Sequence, residues 1–239
     1  MRHYTGLATS HARTLLNVLS ATDSPVSSYQ AAMTELGYEL GRNLAPVVSI
    51  TATGDVCLVC TVEDADFLAK GMLEGMRVAG VSTERLKLVC FWNDRVRQFE
   101  GTNQAVFDVA PILKQYKEAI KAEHVTLVVV KSIISGACVV KTNIMAMIDD
   151  IAPEKVLVAA PVMSEGADQR LAEVFPANIA NRFEYFTFAV DDQYAPDQHT
   201  LIPGVGGSVY ERLGFEGDSR LRYIPEIVRQ RRQLYVAAS

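Results

Sequence analysis

The sequence predicts an α/β protein, a mostly parallel sheet with helices on both faces. Three observations lead there. Val56 to Thr61, Val125 to Val130 and Lys155 to Ala160 are short, near-continuous runs of apolar, largely β-branched residues. Strands buried on both faces read this way, because crossover helices cover a parallel sheet. Stretches with apolar residues at helical spacing alternate with these runs. The chain of 239 residues suits one such domain over 1–239, with an N-terminal helical arm over about 1–45 and a C-terminal extension over about 215–239.

The elements follow in order. The first residues read as a loose arm, then a short apolar helix around Leu15, Leu16 and Leu19. Asp23-Ser24-Pro25 is a turn or helix-start signal. From Ser28 to Leu44, Ala32, Leu36, Leu40 and Leu44 recur at helical spacing, and Pro46 is expected to end that helix. Val56 to Thr61 is a strand, Phe67 to Ala79 a helix and Leu86 to Trp92 a strand. A polar loop is expected from Asn93 to Asn103, and a helix end from Tyr116 to Ala122. Then come a strand to Val130, a helix from about Ala137 to Ile151, a strand from Lys155 to Ala160, a helix from Asp168 to Phe175 and a strand from Phe183 to Val190.

Composition narrows the partners. Hydrophobic residues make up 49% and charged residues 21%, which excludes wholesale disorder. The net charge of -5 argues against nucleic acid as a partner. No apolar run is long enough for a membrane span, and the N-terminus lacks the apolar core of a signal peptide. The expected compartment is the cytoplasm. Cys57 and Cys60 form a CxxC, but on a strand positions three apart point to opposite faces, so core packing is the expected role. No second CxxC or histidine cluster completes a zinc set, and no metal site is expected.

Ligands of parallel sheets sit at the carboxyl ends of the strands. The loops after Thr61, Trp92, Val130, Ala160 and Val190 are therefore the places for function. After Thr61, Glu63, Asp64 and Asp66 are positioned either to bind a divalent cation or to complement a helix dipole. Ser135, Gly136 and Ala137 suit a helix N-terminus that holds a phosphate. Gly204, Gly206 and Gly207 allow positive φ and close approach to a flat ligand, or serve a plain surface turn. His199 is a better functional candidate than His124, because its loop abuts the expected site. Of Asp191 and Asp192, one is expected to face the ligand or cap the next turn. Arg229, Arg231 and Arg232 read as a solvated helix face.

Three stretches, in order, resemble the uracil phosphoribosyltransferases. Ser28 through Leu44 is similar to the family's early helix. Val156-Leu157-Val158-Ala159-Ala160-Pro161, followed by Arg170-Leu171, is similar to its strand ending in Ala-Ala-Pro. Phe188 to Asp192 and then Thr200 to Gly207 resemble its closing segment, where a Pro-Gly-x-Gly turn cups the uracil ring. The resemblance implies a type I phosphoribosyltransferase fold and a transferase joining a pyrimidine-like base to phosphoribosyl diphosphate in pyrimidine salvage. It implies base binding by Ile202, Pro203, Gly204, Val205, Gly206 and Gly207, and phosphate binding by Ser132, Ser135, Gly136, Ala137 and Cys138. Arg95 would be the flexible-loop arginine on the diphosphate, and Mg2+ is a candidate cofactor. A homodimer is implied too, with Tyr223, Ile224 and Ile227 as apolar anchors.

The chain also departs from that pattern. Lys131 stands where the family has an Asp that contacts ribose hydroxyls, and Gly207 stands where it usually has Asp. The loop after Thr61 carries carboxylates in place of an arginine, and these would repel a diphosphate unless a metal bridges them. Three readings stay open: a divergent transferase, an enzyme on a nucleotide-like substrate without a diphosphate leaving group, or a non-catalytic nucleotide-binding module. Lys131, Asp64 and Asp192 are the candidate catalytic residues.

Overall fold

The computed structural model describes residues 1–50, 54–94, 96–100, 105–121, 123–148, 150–197, 200–216 and 221–238. In chain order the first half comprises β1 (Arg2–Tyr4), α1 (Ser10–Ser20), α2 (Val26–Ile50), β2 (Val56–Thr61), a π-helical turn (Ala65–Ala69), α3 (Lys70–Val78), β3 (Leu86–Asn93), β4 (Val96–Glu100), β5 (Ala105–Val109) and β6 (Ile112–Lys117). The second half comprises β7 (Thr126–Val130), β8 (Ile133–Ile134), α4 (Cys138–Ile148), β9 (Lys155–Ser164), α5 (Ala167–Glu173), α6 (Ala177–Ala180), β10 (Phe183–Asp191), β11 (Gln193–Tyr194), β12 (Leu201–Ile202), α7 (Val209–Arg212) and α8 (Glu226–Ala238).

The main sheet runs β1-β10-β9-β7-β2-β3-β6, with β8 also beside β9. Its five central strands are parallel, and β1 and β6 close the two edges antiparallel. Every residue of β2 and of β7 is buried. Alternation divides the strand residues between two layers. Leu58, Cys60, Leu88 and Val128 pack with α1, α2, α3 and α8, while Cys57, Val59, Leu127 and Val158 pack with α4 and α5. Cys57 and Cys60 thus face opposite sides of the sheet. The α/β architecture expected from the apolar runs is the one present.

Strand order also fixes where a ligand can enter. From β2 the chain steps to β3 on one side, then to β7, β9 and β10 on the other. The winding reverses between β2 and β7, and the loops leaving those strands splay apart there.

Helices α2 and α3 cross backbone to backbone. A Cβ at Gly37 would lie 2.1 Å from the Leu68 carbonyl oxygen, and one at Gly41 would lie 2.1 Å from that of Met72. Gly71 and Gly75 of α3 meet the Thr34 and Tyr38 carbonyls as closely. Side chains at these positions would drive the helices apart.

Three elements differ from the sequence reading. α2 runs through Pro46 to Ile50. Proline removes the hydrogen bond to the carbonyl four residues back, but Ala45 and Val48 are buried in the core and the helix continues for their packing. The stretch after Asn93 forms the hairpin β4–β5, of which residues 101–104 lie outside the described residues. Tyr116 belongs to the edge strand β6, not to a helix end. An edge strand with one packed face carries no continuous apolar run, so its polar positions hid it.

Candidate functional site

The loops leaving β2 and β7 are tied together at the reversal point. Lys131, the first residue after β7, is buried and points its ammonium at the turn after β2. It donates to Asp64 Oδ2 at 2.7 Å, Glu63 Oε1 at 2.9 Å and Thr61 Oγ1 at 3.0 Å. An ammonium has three donors, so all three are committed. Asp64, wholly buried, also accepts from Thr61 Oγ1 at 2.7 Å and from the Ser132 amide at 3.1 Å. Burial works to lower the Lys131 ammonium, but Asp64 and Glu63 outweigh it and hold it above its ordinary value. Burial works to raise the Glu63 carboxyl, but the Lys131 charge outweighs it and holds the carboxyl below its ordinary range. This cation is a strap between two loops. An amine already charged, with no donor left, is poorly suited to act as acid or base.

Asp66 has a different task. Its carboxylate accepts from the Glu226 amide at 2.9 Å, the Ile227 amide at 2.8 Å and the Tyr223 hydroxyl. It caps the start of α8 from across the chain. The carboxylates read together as a metal or dipole cluster thus serve two purposes. Among the described residues, no group of three or more His, Cys, Asp or Glu comes together to hold a metal. With Asp64 and Asp66 committed to protein donors, these side chains do not fit a resident Mg2+.

The glycine turn is held by a second buried ion pair. Arg2 donates to both oxygens of Asp191, at 2.9 and 2.7 Å, and to the Gly204 carbonyl. The Gly204 amide donates to Asp191 Oδ2 at 2.8 Å. The Tyr29 hydroxyl donates to the Val205 carbonyl at 3.0 Å. Gly206 has φ +75°, and a Cβ there would lie 2.2 Å from the Leu19 carbonyl oxygen. Its glycine is required by packing against α1. Gly207 has φ +107° and open space where a Cβ would stand.

Between the strap and the turn lies a cavity of about 380 Å³. Glu63, Asn93, Lys131 and Ile133 line the sheet side; Ser135 and Val139 line the start of α4. Thr200, Leu201, Val205 and the segment from Gly207 to Tyr210 line the opposite side. Of the residues expected to bind base, Val205 and Gly207 reach the wall, while Ile202, Pro203, Gly204 and Gly206 shape the turn behind it. Of those expected to bind phosphate, Ser135 reaches the wall, and Ser132, Gly136, Ala137 and Cys138 carry the chain into α4. The Ser135 carbonyl is fixed by the Ser164 and Tyr194 hydroxyls, each at 3.3 Å, and Arg170 holds Ser164 at 2.6 Å. Amides in the first turn of an α-helix have no intrahelical acceptor, and the dipole there favours an anion.

Several candidates fall elsewhere. Asp192 lies off the cavity wall and pairs with the Met1 amino group. His124 is exposed beside Glu154. Arg95 and His199 lie outside the described residues. Tyr223, Ile224 and Ile227, expected as subunit anchors, pack on the chain's own core, Tyr223 and Ile224 only partly buried. Arg231 turns inward to the buried Glu118 at 2.9 Å, while Arg232 stays exposed with its guanidinium 5.5 Å over the Tyr116 ring. Asn93, Tyr210 and Arg2 were missed as site-forming residues, whereas Asp191, expected to face the ligand or cap the next turn, holds the glycine turn through the Gly204 amide. Arg2 is far from the turn in sequence, and only the antiparallel pairing of β1 with β10 brings it there.

No protein-family model matches the chain, and no curated protein matches it in sequence. Solved structures do superpose on it. The AQ2163 protein from Aquifex aeolicus does so with a TM-score of 0.60 at 14% identity, covering 87% of this chain and 96% of the other. Hypoxanthine-guanine phosphoribosyltransferase from L. donovani gives a TM-score of 0.40 at 10% identity, over 66% of this chain and 77% of the other. APRTase from Giardia lamblia, complexed with 9-deazaadenine, gives 0.39 at 8% identity, over 65% and 81%. The Aquifex superposition bears on the fold alone, and the two transferase superpositions carry no argument about activity.

Proposed function

We propose that residues 1–239 form a phosphoribosyltransferase-like transferase that joins a pyrimidine-like base, uracil foremost, to phosphoribosyl diphosphate. One observation carries this reading. A single cavity at the carboxyl edge of the parallel sheet has the start of α4 on one wall and the glycine turn on another. A ribose 5-phosphate would sit at Ser135 and Val139, and a flat ring at Val205 and Gly207. The chain's part is to orient the two reactants and exclude water between them. The Lys131 strap and the Arg2–Asp191 pair hold the walls at their spacing. A cytoplasmic homodimer, which the uracil family implies, belongs to the same reading.

The test is direct. Protein incubated with uracil, phosphoribosyl diphosphate and Mg2+ should release diphosphate and form UMP, resolved by chromatography. Folded protein that forms no nucleotide from uracil or other pyrimidine bases would reject the transferase.

A second reading is favoured by the Lys131 strap. With its ammonium committed and two carboxylates beside it, this end of the cavity offers a diphosphate nothing cationic among the described residues. A chain that binds or acts on a nucleoside monophosphate without a diphosphate leaving group would fit that charge. Stronger thermal stabilisation by UMP than by phosphoribosyl diphosphate would favour this reading. Both readings place a nucleoside monophosphate in the cavity, as product or as ligand.

A further inference from the structure

Arg231 presents a hydrogen-bonding edge that no described residue uses. Its Nη1 donates to both oxygens of Glu118, at 3.0 and 2.9 Å, and to the Leu86 carbonyl at 3.2 Å. Glu118 is itself fixed, since it accepts from the Leu88 amide at 2.8 Å and from the Tyr116 hydroxyl at 3.0 Å. The guanidinium is thereby held in one orientation. Its Nε and Nη2 have no hydrogen-bond partner among the described residues, and neither is buried. These two groups form the side of a guanidinium that meets a carboxylate in two parallel hydrogen bonds. Arg2 uses that side to hold Asp191, and Arg77 uses it to hold Glu74.

Arg231 lines a cleft of about 270 Å³ between α3 and α8. The cleft shares no lining residue with the cavity at the carboxyl edge of the sheet. Leu73, Leu86 and Ile227, all buried, give it apolar walls. Lys70, the first residue of α3, is exposed on its rim and has no carboxylate partner among the described residues. The Arg77–Glu74 pair on the wall cancels, as do Arg231 and Glu118, so Lys70 leaves one positive charge in excess. A monoanion matches that excess, and a phosphate dianion does not.

We propose that this cleft is a second binding site, which takes a small organic carboxylate with a short apolar body. The carboxylate accepts from Arg231 Nε and Nη2, Lys70 adds its charge, and the apolar body lies against Leu73, Leu86 and Ile227. A guanidinium already oriented by Glu118 loses little freedom when the ligand arrives, which favours binding. The site does not depend on what the sheet-edge cavity holds.

Proton–nitrogen NMR of the full chain, titrated with hexanoate, acetate and inorganic phosphate, tests it. Hexanoate should shift the amides of Thr83 and Gln230 and bind at least about tenfold more tightly than acetate, because it buries more methylenes. Arg231→Lys keeps a cation for Glu118 but removes the two-donor edge, and should weaken hexanoate about tenfold. Should that variant misfold, Lys70→Glu, at an exposed position, should weaken it about fivefold. No shift at Thr83 or Gln230, or shifts confined to Ser135 and Val139, would overturn the site. Hexanoate binding unchanged in the folded variants would overturn it too. Inorganic phosphate bound as tightly as hexanoate would overturn the carboxylate assignment, and acetate bound as tightly would overturn the apolar seat.

Discussion

Replacing Lys131 by Met removes the strap while keeping most of its aliphatic stem. The change deletes three donations, to Asp64 at 2.7 Å, Glu63 at 2.9 Å and Thr61 at 3.0 Å. Removing one partner of a buried ion pair costs about 3–5 kcal/mol, because the other charge stays buried. Asp64 bears most of this, since its side chain is wholly buried, whereas Glu63 can turn toward water. The lower end, about 3 kcal/mol, is therefore expected near neutral pH. In a chain of this size each kcal/mol moves Tm by about 2–4 °C, so the variant should melt about 6–12 °C lower. The pH dependence has a definite sign. Glu63 is held low in the folded protein, so its contribution is present above the unfolded carboxylate value near 4.3 and fades as pH falls through the folded value. Lys131 is held high, so its contribution is full below the unfolded value near 10.4 and fades as pH rises through the folded value. Across the neutral range the native cluster adds no slope. In the variant two neighbouring carboxylates lack their cation, and the pair binds a proton more readily. Its stability should rise relative to that of the native chain on acidification from about pH 7 to about pH 5. Urea denaturation followed by circular dichroism at several pH values measures both effects. A loss below about 1 kcal/mol, or a pH slope identical to that of the native chain, would refute the strap.

Two further outcomes follow from the packing. Gly41→Ala places a methyl 2.1 Å from the Met72 carbonyl oxygen, and both partners are helix backbone. The α2–α3 crossing must open, at a cost of about 1–3 kcal/mol or more in chemical denaturation; a neutral substitution would show that the helices do not meet so closely. Asp66→Ala uncovers the Glu226 and Ile227 amides and should cost about 0.5–2 kcal/mol, with faster hydrogen exchange at those two amides. Unchanged exchange there would show that α8 does not depend on this cap.

The buried strands were legible because both of their faces are covered. Val56 to Thr61 and Val125 to Val130 carry no charged residue, and each lies within a residue of an observed strand. β6 was not legible, since Ile112-Leu113-Lys114-Gln115-Tyr116-Lys117 carries neither a continuous apolar run nor a strict alternation of polar and apolar residues. The glycines at 37, 41, 71 and 75 sit at four-residue spacing in the sequence, yet their meaning depends on two helices crossing. The same limit applies to the site. The glycine turn and the start of α4 could be named from local chemistry. The pairing of Lys131 with Asp64 could not, because 67 residues separate them and the reversal of sheet winding brings them together. Asn93 was read as the start of a polar loop, and its donations to the Ala110 carbonyl and to Asn143 depend on pairings that local sequence does not encode.

The central claim is that the start of α4 and the glycine turn hold one nucleotide between them. A crystal structure of the protein with UMP measures this. The account predicts the phosphate beside Ser135 and Val139 and the uracil ring against Val205 and Gly207, within the one cavity. UMP bound elsewhere, or touching one of the two segments without the other, would contradict it.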